Sequence, residues 1–168
     1  LAKAKKLLEK SSKLSSSPAD LAQLGVLKLT LNDRTGIKNI ESALSDENIA
    51  KNVSYKKTLA TAYLSTKAYD KALALADSWL AKDETDAQAY LLKGTVYKQQ
   101  KDYKNAKINF QKALKIKPDG QTLLLNIADI EYLQGNKVKA EQLYQQIVKK
   151  QPMLVPAWIR LFALTKAQ

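Results

Sequence analysis

The sequence predicts an all-α protein built from stacked antiparallel helix pairs. Its 168 residues include only 5 glycines and 4 prolines, too few for the many turns of a β-sandwich or barrel, whereas strong helix formers such as Ala, Leu and Lys dominate. The chain also has an internal period, since small residues at Ala60, Gly94 and Ala128 begin similar tripeptides 34 positions apart. A fixed period of this length is typical of helical repeats that stack on one another.

The fullest copy of the repeat runs from residue 87 to residue 120. Its small, aromatic and proline residues stand at the spacings of one helical repeat family, namely Tyr90, Gly94, Tyr97, Ala106, Phe110, Ala113 and Pro118. The chain thereby resembles the tetratricopeptide repeat family. This resemblance implies a right-handed superhelix, an α-solenoid of about ten helices, in which the first helix of each pair lines the concave face.

Neighbouring copies depart from the family pattern at a few positions. Leu124 and Glu131 replace the two aromatic residues of the next copy, and Trp79 stands where the preceding copy would have a small residue. A bulky ring at that site must displace a neighbour or reach the surface. The predicted organisation is a single array, made of a second helix at 1–16, a degenerate repeat at 17–52, full repeats at 53–86, 87–120 and 121–154, and the first helix of a truncated repeat at 155–168.

Catalytic chemistry finds little support in the sequence. The absence of cysteine and histidine excludes disulfides, thiolate zinc sites and Ser-His or Cys-His catalytic groups. The acidic residues Asp83, Glu84 and Asp86 lie in a predicted turn, where carboxylates cap the next helix. Ser54 and Lys57 fit an S-x-x-K pattern without its partner motifs, and the glycines form no phosphate-binding loop. We therefore expect a binding protein that has no catalytic, cofactor or metal site.

The net charge of +12 favours acidic partners or anionic surfaces. Only 2 of the 28 cationic residues are arginines, and arginine is preferred for bidentate recognition of phosphates and bases, so specific nucleic-acid binding is not expected. Lys104, Lys107, Lys112 and Lys115 form a basic stripe on one predicted helix. We interpret it as a solvated face. Nonspecific binding of polyanions or membrane surfaces through such lysine-rich faces is an alternative function, and a passive spacer is another.

The family resemblance implies that a protein or peptide partner binds on the concave face. We expect an extended or helical, partly apolar segment to lie there, with Leu91, Leu125 and Tyr132 as anchors. Lys57 and Lys98 would steer acidic groups of that segment. The ligand-facing positions carried over from the family are Lys57, Thr61, Leu64, Leu91, Thr95, Lys98, Leu125, Asp129, Tyr132 and Ile159.

One specialised binding mode of the family is not expected. Members that clamp the carboxylate terminus of a chaperone need Lys, Arg and Asn side chains at fixed places on three successive first helices. Asn126 and Arg160 match this requirement, but Leu91, Thr95 and Pro156 stand where Lys, Asn and Lys are needed. The resemblance therefore implies a groove without that clamp.

The remaining expectations concern location and assembly. No run of 18 or more apolar residues is present, so no transmembrane segment is expected in this sequence. The amino-acid sequences of segments 69–73 and 103–106 are similar to those of bacterial repeat lipoproteins of the PEP-CTERM exopolysaccharide-associated system. This similarity implies a membrane-anchored periplasmic protein. Without it, a cytoplasmic protein is expected. The missing initiator Met suggests a fragment. Its last helix, with Trp158, Leu161 and Phe162, would expose apolar surface and pair end to end with another copy.

Overall fold

The computed structural model describes residues 17–166, which contain ten helices and no strand. The all-α fold predicted from the sequence is confirmed, and the helix predicted over 1–16 lies outside the described residues. The helices are α1 (Pro18–Thr30), α2 (Gly36–Ala43), α3 (Glu47–Ala50), α4 (Val53–Ser65), α5 (Tyr69–Leu80), α6 (Ala87–Gln99), α7 (Tyr103–Ile116), α8 (Gln121–Leu133), α9 (Lys137–Lys150) and α10 (Val155–Lys166).

Helix starts follow the sequence period. The first helices α4, α6, α8 and α10 begin at Val53, Ala87, Gln121 and Val155, each 34 residues after the last. A polar cap precedes α6, where the Asp86 carboxylate accepts hydrogen bonds from the backbone N–H groups at positions 88 and 89, at 2.8 and 3.3 Å. Such a cap satisfies donors that the first turn leaves unpaired. Asp86 therefore has the capping role predicted for it.

The chain divides after Tyr69 into two compact units. In the first unit, α1 pairs with α2, and α4 packs against both. The buried side chains of Leu24, Ile40 and Leu59 form its apolar interior. Tyr63 donates a hydrogen bond of 2.5 Å to Glu41. Burial and this carboxylate raise the pKa of Tyr63, so the phenol keeps its proton and remains a donor at ordinary pH.

The single-turn helix α3 is the part of the first unit that the sequence pattern does not predict. Asp46 caps it by accepting hydrogen bonds from the backbone N–H groups of Asn48 and Ile49, at 2.9 and 3.2 Å. It lies near the end of the degenerate repeat predicted over 17–52. A turn of four residues is too short to show a helical period, so the Asp cap is the only local signal for it.

The second unit is a succession of helices in which each packs on its chain neighbours from α6 to α10. Its core repeats one packing arrangement, in which a small residue of the first helix of a pair lies against an aromatic ring of the second helix. A Cβ at Gly94 would lie 2.6 Å from Cε1 of Phe110, and in the next pair Ala128 lies in one cluster with Tyr144. Trp79 in α5 is also buried, so the bulky ring does not reach the surface.

Each of three turns between the two helices of a pair contains one residue in the left-handed backbone conformation. Lys67, Lys101 and Gly135 have φ values of 57°, 63° and 85°, and they are spaced by 34 residues. After α6, the N–H of Asp102 donates to the carbonyl of Tyr97 at 2.9 Å, which is the hydrogen bond of a Schellman helix end. Glycine adopts this backbone conformation without steric cost, whereas lysine does not.

We expect Lys101→Gly to stabilise the protein by roughly 0.5–1 kcal/mol, because relief of the left-handed strain exceeds the entropy that glycine adds to the unfolded chain. Gly135→Ala is the matched reverse change and should destabilise by a similar amount. Urea unfolding followed by circular dichroism measures both. Equal effects of the same sign would contradict the assignment of strain to this turn position.

Candidate partner-binding groove

The residues expected to face a partner lie on four first helices. In the first unit, Lys57 and Thr61 of α4 border a depression of about 360 Å³ together with Leu29. Leu64 of α4 is half-buried. We define the groove as the expected positions of the second unit, which lie on α6, α8 and α10 and comprise Leu91, Thr95, Lys98, Leu125, Asp129, Tyr132 and Ile159.

The apolar groove residues differ in how much surface they offer. Tyr132 is 42% exposed, and Ile159 is also exposed. Leu91 is half-buried, with one side packed against the core cluster that contains Phe110. Leu125 is only 8% exposed and belongs to the core between α8, α9 and α10. The apolar surface open to a partner therefore comes from Tyr132, Ile159 and part of Leu91.

A chain of polar contacts joins the three first helices of the groove. The carboxylate of Asp129 in α8 accepts a hydrogen bond from Arg160 Nε of α10 at 2.5 Å and lies 3.7 Å from Lys98 Nζ of α6. Lys98 Nζ also donates to Asn126 Oδ1 at 2.5 Å. From behind, the Tyr144 hydroxyl donates to the same Asp129 oxygen at 3.0 Å. We call these five residues the polar chain.

Electrostatics in the polar chain leave an excess of positive charge. Burial lowers the pKa of Lys98, Asp129 counteracts this shift, and the positive charge of Arg160 adds to it. Burial and the neighbouring carboxylate raise the pKa of Tyr144, so its phenol remains a hydrogen-bond donor. Two cations thus share one carboxylate at this surface. An arrangement of this kind favours an anionic group on a ligand.

The two residues that match the carboxylate clamp of the family are engaged within the protein. Asn126 accepts from Lys98, and Arg160 holds Asp129. Neither this pairing nor the contribution of Tyr144 was predicted from the sequence. A signal was present, because both charged pairs, Lys98 with Asp129 and Asp129 with Arg160, are separated by 31 residues. That spacing is one helical turn short of the repeat period.

A second ionic cluster surrounds Glu131, the residue that replaces an aromatic ring of the repeat. Its side chain is 1% exposed and contacts Lys107 Nζ at 2.5 Å and Lys139 Nζ at 3.0 Å. Asn136 Nδ2 donates to its other oxygen at 2.8 Å. Burial raises the pKa of Glu131, but the three hydrogen bonds outweigh burial and hold that pKa at about 2. Lys107 therefore forms an ion pair with this carboxylate and is not a free cation of the predicted basic stripe.

The rest of the predicted basic stripe is exposed on α7. Lys104, Lys112 and Lys115 face solvent, and Lys112 Nζ lies 5.4 Å from the centre of the Tyr90 ring. Within residues 17–166, no group of three acidic side chains is placed to hold a metal ion. None of the described helices has the length and apolar character needed to cross a membrane.

Comparisons with known proteins address the fold. Residues 87–119 match the family model of the tetratricopeptide repeat, and a comparison with curated proteins found no match. Among solved structures, a tetratricopeptide repeat protein from Parabacteroides merdae is similar with a TM-score of 0.75 and 22% identity. The alignment covers 96% of this chain but 62% of that chain, so this chain spans less than two thirds of the Parabacteroides protein.

Two further solved structures have similar lengths and lower identity. MamA from Desulfovibrio magneticus gives a TM-score of 0.70 at 17% identity, over 90% of this chain and 87% of that chain. A thermophilic tetratricopeptide repeat protein from Thermus thermophilus gives 0.73 at 17% identity, over 95% and 88%. Together with the match over residues 87–119, these similarities show that the chain has the solenoid fold of tetratricopeptide repeat proteins.

Proposed function

We propose that this chain is a scaffold or adaptor module that binds an acidic, partly apolar segment of a partner protein in the groove of α6, α8 and α10. The fold supports a role in protein binding, because repeat solenoids present extended surfaces for partners. The observation that carries the proposal is the polar chain, where Lys98 and Arg160 share the single carboxylate of Asp129 beside exposed Tyr132 and Ile159.

The charge of the groove selects the chemistry of the partner. The Arg160 side chain is 40% exposed, so its guanidinium is open to a ligand on the solvent side. A carboxylate of the partner can accept hydrogen bonds there without displacing Asp129, because guanidinium has five N–H donors. Acidic groups of the partner segment therefore lie near Arg160 and Lys98, which also increases the association rate.

Apolar contacts of the groove supply most of the binding free energy in this proposal. Tyr132 is the central anchor, since a large exposed ring buries much area on binding and loses little conformational entropy. Leu91 and Ile159 flank it on the neighbouring first helices. Leu125, which was expected to be an anchor, supports the groove from the core because its side chain is nearly covered.

The proposal is tested with two pools of 12-residue peptides that share apolar positions and differ only in carrying Glu or Lys. We expect the acidic pool to bind, with chemical-shift changes in NMR at Leu91, Lys98 and Tyr132. Tyr132→Ala should weaken binding about tenfold, because truncating an interface anchor costs more than 1 kcal/mol. Fluorescence polarisation of the best acidic peptide measures this change.

Val138→Ala is the matched control, because Val138 is an exposed apolar residue of α9 outside the groove. It should leave the affinity of the peptide within twofold. Equal binding of the two pools, or shifts confined to α7, would contradict the groove. A different result would support polyanion association through Lys104, Lys112 and Lys115. In that case peptide binding would be lost between low and moderate salt, and Tyr132→Ala would leave the affinity unchanged.

The biological setting is a finer part of the proposal. The similarity of 69–73 and 103–106 to repeat lipoproteins of the PEP-CTERM system supports a partner that acts in bacterial envelope or exopolysaccharide assembly. End-to-end pairing of copies through the exposed apolar surface of α10 stays a prediction. Membrane fractionation of the native host would test the first of these assignments, and sedimentation of the purified chain would test the second.

A further inference from the structure

The exposed face of α7 has a depression of about 710 Å³, and none of the residues lining it belongs to the groove. Its apolar lining comes from Ile108, Leu114 and Pro118, and its cationic lining comes from Lys112 and Lys115. Leu114 is half-buried and packs against the core shared by α6, α7 and α8, whereas Ile108 is 41% exposed. We call these five lining residues the α7 site.

The helices that neighbour α7 along the chain are all described and belong to the same compact unit. This unit covers residues 70–168 and includes α6 and α8, on which α7 packs, together with α5 and α9. The α7 site is therefore open although the second helices before and after it are in place. A concave apolar surface with a few polar groups around it is the usual form of a binding site.

Helical spacing places the apolar and cationic groups of the site on one face. At 3.6 residues per turn, Ile108 lies between Lys112 and Lys115 within an arc of about 60°. The ring of Phe110 is fully buried on the opposite side of the helix. Lys107 does not contribute to this face, because it pairs with a carboxylate of α8. The exposed face therefore combines an isoleucine with two lysines.

The other second helices do not repeat this combination. The positions equivalent to the isoleucine and the first lysine of the site carry small or uncharged polar residues. By the period of 34 residues, they are Ala74 and Ser78 on α5, and Gln142 and Gln146 on α9. A residue that helix stacking requires recurs at the period, whereas this pair occurs on α7 alone among the three described second helices that follow the period. The packing of the repeats therefore does not explain the α7 site.

Charge at the site favours a partner that carries carboxylates. No Asp or Glu lies between Asp102 and Asp119 in the sequence, and this stretch contains five lysines. Asp102 is engaged as the cap of α7, where it accepts a backbone N–H at 3.1 Å. Lys112 Nζ lies 5.4 Å from the centre of the Tyr90 ring. Among the described residues that line the site, none is acidic, so a carboxylate of a partner meets no like charge there.

Shape and composition favour a protein segment over nucleic acid or a membrane. The site contains lysine and no arginine, and arginine is preferred for bidentate contacts to phosphate. No aromatic ring is among the described lining residues, so nucleic-acid bases have no surface on which to stack. Membrane binding uses apolar side chains that enter the lipid, whereas a depression receives a side chain from its partner.

We propose that the α7 site binds an acidic peptide segment of a partner protein. One apolar side chain of that segment enters between Ile108, Leu114 and Pro118, and neighbouring carboxylates pair with Lys112 and Lys115. The contact does not depend on the groove, because the two surfaces share no residue. A chain with both surfaces can hold two acidic segments at once.

The test uses two pools of acidic peptides, which are added to the 168-residue chain. In the first pool, a single central leucine is flanked by glutamates at varied spacing, and in the second pool serine replaces that leucine. We expect the first pool to change NMR chemical shifts at Ile108, Leu114 and Lys115. The second pool should bind at least tenfold more weakly, because a buried leucine supplies much of the affinity. Fluorescence polarisation of the best peptide and its serine counterpart measures this ratio.

Ile108→Ala should weaken binding of the best leucine peptide about tenfold, and it should remain folded because Ile108 is partly exposed. Lys115→Gln should weaken binding about threefold, as for an exposed ion pair. Lys149→Gln is the matched control, since it removes the same charge from the equivalent position of α9 and should leave the affinity unchanged. Tyr132→Ala should leave the shifts in α7 unchanged, which separates this surface from the groove.

Four results would each overturn the proposal. Equal binding of the two pools would show attraction of opposite charges without an apolar contact. Equal losses from Lys115→Gln and Lys149→Gln would show an effect of net charge alone. Disappearance of the α7 shifts in Tyr132→Ala would place the peptide in the groove. Vesicles of equal parts phosphatidylserine and phosphatidylcholine that bind through Ile108, while neither pool shifts α7, would identify a membrane surface as the partner.

Discussion

Glu131→Gln is expected to destabilise the protein by about 3 kcal/mol. The difference between the ordinary pKa of 4.5 and the folded value of about 2 corresponds to a free energy of this size. The physical reason is that Glu131 is buried and receives hydrogen bonds from Lys107, Lys139 and Asn136, which glutamine cannot replace as an anionic acceptor. Urea unfolding at neutral pH measures the loss.

The same carboxylate makes stability depend on acid. Because the folded pKa of Glu131 lies below its unfolded value, its contribution is fully present above pH 4.5 and is lost as the pH falls toward about 2. The gap in unfolding free energy between the native chain and Glu131→Gln should therefore close over that interval. Glu84→Gln, at an exposed position, is the control and should follow the native profile. A gap that stays constant with pH would contradict the ionic role of Glu131.

Phe110→Ala is expected to cost roughly 3–5 kcal/mol, because it removes a fully buried ring and leaves a cavity between α6 and α7. Gly94→Ala alone should also destabilise, by roughly 1–3 kcal/mol, since the new Cβ would lie 2.6 Å from Phe110 Cε1. Thermal and urea unfolding of the two single variants and the double variant measure these changes.

The double variant decides whether the two positions form one packing unit. The methyl group of Gly94→Ala would enter the space left by Phe110→Ala, so the double variant should be more stable than the sum of the single effects predicts. Phe162→Ala is the control, because the ring of Phe162 in α10 is exposed and its loss should change stability by less than about 0.5 kcal/mol. Strict additivity of Gly94→Ala and Phe110→Ala would contradict direct packing.

The fold could be predicted in detail wherever the repeat is regular. Small residues recur every 34 positions at Ala60, Gly94 and Ala128, and a small residue allows two helices to approach closely. The contact between Gly94 and Phe110 is such an approach. Helix bounds followed, because the first helices begin at the same interval. Asp86 was recognisable as a cap, since a carboxylate before a helix has few other local roles.

Contacts between distant helices were less accessible from the sequence. Lys107 looked like a member of a solvated stripe, because its pairing with Glu131 depends on how α7 packs against α8. For Trp79 the sequence allowed two outcomes, displacement of a neighbouring side chain or exposure at the surface. Only the tertiary structure shows that its ring is buried. In the groove, the apolar anchors were named from family positions, but the depth of Leu125 and the bond between Arg160 and Asp129 depend on tertiary geometry. Partner binding by these residues stays a prediction.

The single carboxylate of Asp129 couples events at the two ends of the groove. Burial lowers the pKa of Lys98, Asp129 offsets that effect, and Arg160 lowers the pKa further. An anion bound to the solvent side of Arg160 on α10 would offset the charge of Arg160 and so weaken its repulsion of Lys98 on α6. By thermodynamic reciprocity, a group bound at one repeat therefore changes the affinity for charge two repeats away. If the groove binds an acidic segment as proposed, its affinity would therefore depend on the spacing between the acidic groups of that segment, and not only on their number.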